Sequence, residues 1–493
     1  MSQAPSGAAV DDSQRLARNY LFLSAGEFGA KLLAFTAFTF LGRVLGPERY
    51  GSLEFALAVM VFFTLPVDFG LGDYGAREVA KNRARAAEFL RSICSLRLLL
   101  ALGSFITLLL FVLVIRKSFE VKLLLILFGL NLFAAPLLLQ WFFQGHDRMH
   151  WVAMASITRL GVFALLVFLF VRVETRLYYV GLMECASVAA VATLCLYILR
   201  RRLGFGVPRP SLKVRPLTAH FREAAPIGLS ELSWAFLWYF ATVLLGFVAP
   251  GPSLGWFGAA HRAVMALHTF VWLYFFNLLP SLSRSVALPR EHLLNLLHHS
   301  LAIGAWGGIF VALLMTTLSR ELLRMAYGPR FAEAAPLFSV LVWMIPVALL
   351  SGHYRYTLIA YGLQNWLLYC TAIAAGVAVA LCFLLVSRYG ALGAASSLLT
   401  ALLVNFALAY AVVQRRVARI HFGAQLIRPL TAMAASLVLF AVLRAGNAWI
   451  AGFAAALAYL LLLVIWQRQE LIQLSLILTR KGPWFAAGGP QVK

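Results

Sequence analysis

The residues with chemical capacity in this chain are ionisable side chains set inside long apolar runs: Glu27, Lys31, Arg97, Arg159, Glu184, Glu231, Arg262, His268 and Arg355. A charge at the centre of a bilayer costs about 3 kcal/mol on insertion scales, so such groups face a bundle interior or a wet cavity. Cations in a cavity hold an anion; carboxylates pair with them or carry a proton or sodium ion. Glu27 and Lys31, in the run SAGEFGAKLLAF, are one helical turn apart and can pair along one face. Lys31 lies about 12 residues, or ~18 Å, from the start of its helix, near the midplane. Arg159 is shallower. Arg97 and Arg355 stand near helix ends, where snorkelling to the interface competes with a binding role, and Arg262 is placed similarly at the opposite face. His268 is alone on an apolar face and reads as a hydrogen-bonded core residue.

The elements that must position these groups are membrane helices. The sequence is 62% hydrophobic and 12% charged, which excludes an ordinary soluble domain. Apolar runs long enough to span fall at 20–42, 51–72, 92–115, 121–143, 150–171, 177–199, 226–248, 256–279, 300–318, 336–360, 365–387, 391–413, 425–443 and 448–466. About fourteen transmembrane helices are therefore expected, in an all-α polytopic membrane protein. The net charge of +23 is scattered over short loops without a recognition module, so nucleic acid is not an expected partner. It fits topology, anionic lipid and an anionic substrate. The strongest basic loops, 73–91, 200–222 and 414–424, alternate with weak ones and place both termini in the cytosol. The five cysteines all fall inside apolar runs and read as small core residues; none shows metal-ligand spacing, and no metal or cofactor is expected.

Residues 1–18 read as a disordered cytosolic lead, 19–199 as an N-terminal six-helix bundle, and 200–224 as a basic, proline-broken linker. A second six-helix bundle occupies 225–413, helices thirteen and fourteen 414–466, and a cytosolic tail 467–493. The stretch 281–299 carries leucines at helical spacing and is expected to lie along the interface. Ser24-Ala-Gly-Glu27 resembles Gly228-Leu-Ser-Glu231, Gly46-Pro47 recurs as Gly251-Pro252, and Val59-Met60 as Val264-Met265, all at nearly one offset. That offset predicts two similar halves related by an axis along the membrane normal. Pro66, Pro136 and Pro346 fall inside spans and predict kinks.

The run Leu41-Gly-Arg-Val-Leu-Gly-Pro-Glu-Arg-Tyr-Gly51, with Asp68-Phe-Gly-Leu-Gly and Ala76-Arg-Glu-Val-Ala80, resembles polysaccharide transporters. These include the O-antigen-type flippases of the multidrug/oligosaccharidyl-lipid/polysaccharide exporter superfamily. Gln140-Trp-Phe-Phe-Gln-Gly145, Gly255-Trp-Phe-Gly-Ala-Ala-His-Arg262 and Tyr327-Gly-Pro-Arg-Phe331 extend the resemblance along the chain. It implies two six-helix bundles around a central lumen, in a bacterial inner membrane, working by alternating access. The implied cargo is a polyprenyl-diphosphate-linked oligosaccharide, and other polysaccharide-assembly proteins are implied partners beside the membrane lipids. On that reading Lys31 and Arg159 are the first candidates for diphosphate contact, then Arg97, Arg355 and Arg262, since arginine's planar fork suits phosphate oxygens. Glu27, Glu231 and Glu184 are candidate coupling groups for protons or sodium, or counter-charges. Trp234, Trp238 and Tyr239 are candidates for stacking on sugar rings.

A membrane glycosyltransferase or ligase is disfavoured: the longest loops are about twenty residues, and there is no Asp-x-Asp pair and no glycine-rich phosphate loop. A lipid II flippase and a multidrug antiporter stay open as alternatives, the second needing a lumen poorer in arginine.

Overall fold

The computed structural model describes residues 6–208, 210, 214–420 and 423–466, and among them the regular structure is helical throughout. The chain begins with α1 (Ser6–Asp68), α2 (Leu71–Lys81), α3 (Ala86–Val114) and α4 (Phe119–Leu130). It continues with α5 (Gln140–Gly145), α6 (Met149–Phe170), α7 (Tyr178–Arg201) and α8 (Val214–Val248). Then follow α9 (Pro252–Ser285), α10 (Arg290–Thr317), α11 (Ser319–Tyr327) and α12 (Ala335–Leu341). The last are α13 (Met344–Ala360), α14 (Gln364–Arg416), α15 (Gly423–Leu443) and α16 (Ala448–Trp466).

Twelve stretches of the described residues are long and apolar enough to cross a membrane. Two of them, Phe28–Lys81 and Gln364–Arg416, are each broken mid-helix, at Gly46 (φ 73°) and Gly390 (φ 54°), and the first turns once more at Phe69–Gly70 to enter α2. Counting each as two crossings gives the fourteen that the apolar runs predict. Both breaks sit on glycine because a left-handed φ clashes with a side-chain Cβ. The proline kinks take different forms. Pro136 lies in a 3-10 turn (Asn131–Leu137) that splits a crossing into α4 and α5. Pro346 is in the first turn of α13, where its missing N–H has no intrahelical partner to lose.

Helices α1–α7 pack among themselves, α8 runs along α14, and the halves meet where α1, α2 and α3 face α8 and α9. The pair α15–α16 leans on α10, with the Tyr459 hydroxyl donating to the Trp306 carbonyl at 3.0 Å. Large apolar side chains such as Leu113, Phe119 and Ile465 remain exposed on the rim. That suits lipid, where close packing rather than burial from water joins the helices.

Two expectations need correction. Residues 6–18 begin α1 and are helical, not a disordered lead; Ala, Leu, Arg and Gln dominate there, and no glycine or proline interrupts them after Gly7 before Gly26. The stretch 281–299 is not an element of its own but the end of α9, a short turn and the start of α10. Leu293, Leu297 and Leu301 share one face of α10 and are fully buried beside Leu282 and Tyr354, because the leucine spacing continues into the crossing helix. The expected tail 467–493 lies outside the described residues. The linker resumes as helix at Val214, continuous with the seventh crossing through Pro226.

Candidate functional site

A cavity of about 730 Å³ opens between the two halves, walled by α1, α8, α9, α13 and α14. Lys31, Arg262 and Arg355 line it, with His268, and among the described side chains no Asp or Glu lines it. The helices stagger these cations in depth. Arg262 is about 16 Å along α9 from its start beside Gly251, and Lys31 about 22 Å along α1 from the Gly46 break. Arg355 is about 30 Å along α12 and α13 from Ala335. Trp234, Trp238 and Tyr239 stand on the same wall from α8; Trp234 meets both of the others, with ring centroids 5.6 and 5.8 Å away. His268 lines the cavity rather than the core and sits edge-on to Trp238, with centroids 5.0 Å apart.

A second hollow of about 320 Å³ adjoins the first and shares Phe28, Lys31, Phe35, Ala266 and Thr269 with it. Its other walls are apolar: Leu267, Phe270, Met315, Leu322, Met325 and Phe338. Lys31 therefore marks the junction of a cationic chamber and a greasy crevice.

The remaining predicted cations are paired away from this chamber. Arg159 on α6 donates to Glu184 on α7 at 2.7 Å, within the N-terminal half. Arg97 on α3 is buried, donates to Asp68 at the end of α1, and lies over the Trp141 ring at 5.8 Å. Neither lines the chamber. Glu231 on α8 lies within electrostatic reach of Asp68, Asp73 and Arg97, at the Gly70 end of the interface. The side chain of Glu27 lies outside the described residues.

The two halves touch at both ends of the chamber. At the Gly46 end, Gly51 lies on the turn that starts α9: a Cβ there would be 2.7 Å from the Gly255 nitrogen. Lys117, in the loop between α3 and α4, donates to the Gly246 carbonyl and sits over the Phe55 and Phe247 rings. Burial holds its ammonium below the usual lysine range. Arg43 donates to the Met325 and Ala326 carbonyls across the same face. At the other end Phe69, held at φ 39°, stacks on Phe221 with centroids 5.2 Å apart, and Tyr74 meets the His220 Nδ1 at 2.9 Å. Gly228 passes so close that a Cβ would be 2.6 Å from the Phe69 ring and 2.7 Å from its carbonyl oxygen.

One residue of the chamber region escaped the sequence reading. Glu54, in the apolar run Ser-Leu-Glu-Phe-Ala, accepts from both Nε (2.7 Å) and Nη2 (2.9 Å) of Arg262. It carries the same signal as the acids singled out, a carboxylate inside an apolar span, but it sits within a turn of the span's start, where a surface position was equally compatible. Lys117 carries no such signal.

Over residues 16–286, more than half of the chain, the sequence matches the family model described as polysaccharide biosynthesis protein. The chain belongs to that family. Among curated proteins it is similar to the putative O-antigen transporter of Escherichia coli (strain K12), at 23% identity over 333 residues, 66% of this chain and 79% of that one. Its fold is similar to the inward closed conformation of the lipid II flippase MurJ, with a TM-score of 0.75 at 13% identity, covering 92% of this chain and all of the other. An inward-facing multidrug resistance MATE family transporter follows at a TM-score of 0.62, 15% identity, covering 79% of this chain and 96% of the other. The family member is a multi-pass membrane protein with the two-halved helical fold of these transporters.

Proposed function

We propose that this protein flips a polyprenyl-diphosphate-linked oligosaccharide from the cytosolic to the outer leaflet of a bacterial inner membrane by alternating access, without catalytic chemistry of its own. The observation that carries this reading is the chamber wall: three cations at three depths, of which Arg262 is held from behind by Glu54, no acid among the described lining side chains, and an apolar crevice joined at Lys31. An amphiphile with a compact anionic head matches that pair of spaces. The diphosphate engages Lys31, Arg262 and Arg355 in turn, the sugar lies against Trp234 and Trp238, and the prenyl chain leaves through the crevice. Charge-assisted hydrogen bonds replace the hydration that the head loses, while the tail stays in lipid or in the apolar crevice. A cationic chamber opposes organic cations, which argues against the drug-antiporter alternative.

On the positive-inside rule we take the Gly46 end as outside and the termini as cytosolic. Alternating access then means parting the Gly70-end contacts to admit cargo and the Gly46-end contacts to release it. Arg97–Asp68 and Arg159–Glu184 act as pairs that hold helices in register. Among the described residues Glu231, beside Asp68 and Asp73 at the cytosolic contact, is the carboxylate best placed to couple proton or sodium binding to that parting.

Translocation in proteoliposomes tests the reading, with a polyprenyl-diphosphate oligosaccharide, lipid II and an organic cation as alternative cargoes. A charge-assisted hydrogen bond is worth about 1.5–3 kcal/mol, so Lys31→Ala and Arg355→Ala are expected to slow glycan flipping by on the order of tenfold or more. Well-folded Arg159→Ala keeps most of the rate. A wild type that moves the organic cation and not the diphosphate lipid overturns the proposal.

A further inference from the structure

Arg262 is both a wall of the chamber and half of the contact that closes its outer end. It belongs to α9, and its partner Glu54 belongs to the second crossing of α1, across the interface between the halves. The pair is bidentate and nearly buried, with the side chains 24% and 9% exposed. The methylenes of Glu54 lie across Gly258, one turn before Arg262 on the same face of α9; a Cβ there would be 2.5 Å from the Glu54 Cγ. Phe38 caps the guanidinium, its ring centroid 3.6 Å from the Cζ. Around the pair, the hydroxyls of Tyr50 and Tyr327 and the Nε2 of His261 are buried, Tyr50 lying beside both Glu54 and Tyr327. Glu54 occupies Nε and Nη2, and Nη1 has no acceptor among the described residues.

From this geometry we infer that Glu54 is an occupancy-sensing latch: it holds Arg262 and keeps the outer contact shut while the chamber is empty, and an anionic diphosphate taken up by Arg262 displaces it. The inference rests on the cargo reading above and adds the step by which cargo opens the outer end. A diphosphate that meets Arg262 at the free Nη1 comes up against Glu54 on the same guanidinium, which sets like charges against each other in a site shielded from water. Two outcomes relieve that repulsion. Either the cargo stays out, or Glu54 leaves Arg262, taking the second crossing of α1 away from α9. The Tyr50 and Tyr327 hydroxyls and the His261 nitrogen, buried beside the pair, offer the freed carboxylate, or the phosphate oxygens, alternative partners at the same depth. Because coupling is reciprocal, removing the Glu54 charge must both loosen the outer contact and tighten diphosphate binding.

The test uses the full chain with spin labels at two exposed positions flanking the outer contact, Glu48 and Pro252, and polyprenyl diphosphate as the probe. The label separation is measured with and without probe, and probe binding is followed independently by native mass spectrometry. In the wild type the short separation is expected to lengthen on adding probe. Glu54→Gln is expected to show the long separation without probe and to bind the probe at least fivefold more tightly, the lower range of typical site–site coupling. Arg262→Lys, which keeps the charge but loses the two-point grip, is expected to weaken both closure and the response. If the wild type binds the probe and the separation stays short, or if Glu54→Gln remains closed with unchanged affinity, the latch is refuted while the cargo reading stands. If the wild type binds no probe at all, the cargo reading fails first and takes the latch with it.

Discussion

Adding one methyl group at each end of the interface should drive the protein in opposite directions. A Cβ at position 51 would be 2.7 Å from the Gly255 nitrogen and 3.0 Å from the Gly251 oxygen; one at position 228 would be 2.7 Å from the Phe69 carbonyl oxygen. Ordinary contacts begin at about 3.4 Å, so each substitution asks its neighbours to retreat by roughly 0.7 Å. The neighbours include backbone on the other half of the molecule, which no rotamer change can move, so the halves themselves must part. Overpacking of this kind costs about 1–3 kcal/mol, a shift of about 5- to 150-fold in the balance between closed and open at that end. The gain in helix propensity from Gly to Ala is common to both states and cancels. Gly51→Ala is thus expected to lengthen the separation of spin labels at Glu48 and Pro252 while leaving the other end closed. Gly228→Ala is expected to lengthen it between labels at Ala80 and Arg222 instead. Should both variants open the same end, or neither move either pair of labels, these glycine contacts are not what closes the chamber.

Two further outcomes follow from the site. Arg97 is buried and bound to a more exposed Asp68, so Asp68→Asn strands a buried cation and is expected to lower the melting temperature more than Asp147→Asn, whose partner Arg83 is over half exposed. Thermal denaturation in detergent reads the difference. Trp234→Ala removes an aromatic face from the chamber and is expected to weaken binding of a glycosylated polyprenyl diphosphate by about 0.5–1.5 kcal/mol while sparing the bare diphosphate lipid. Competition between the two ligands measures it.

By itself the chain determined the membrane class, the fourteen crossings, the two repeated halves and the family resemblance. Those features are local: apolar run length, the Gly-Pro pairs at 46 and 251, and motifs contiguous in sequence. It also marked most of the charged residues that matter, because any charge within an apolar span is costly enough to stand out. What it could not assign is which of them share a wall. Spans apolar on every side carry no stripe to say which face meets the lumen and which meets lipid, so Arg159 and Lys31 looked alike. Tertiary structure sent Arg159 to Glu184 and Arg97 to Asp68, and left Lys31, Arg262 and Arg355 around one chamber. Glu54 acquired its partner from 208 residues away, through the crossing of α1 over α9. Such a pairing is fixed by how two halves dock, and no spacing within either half encodes it.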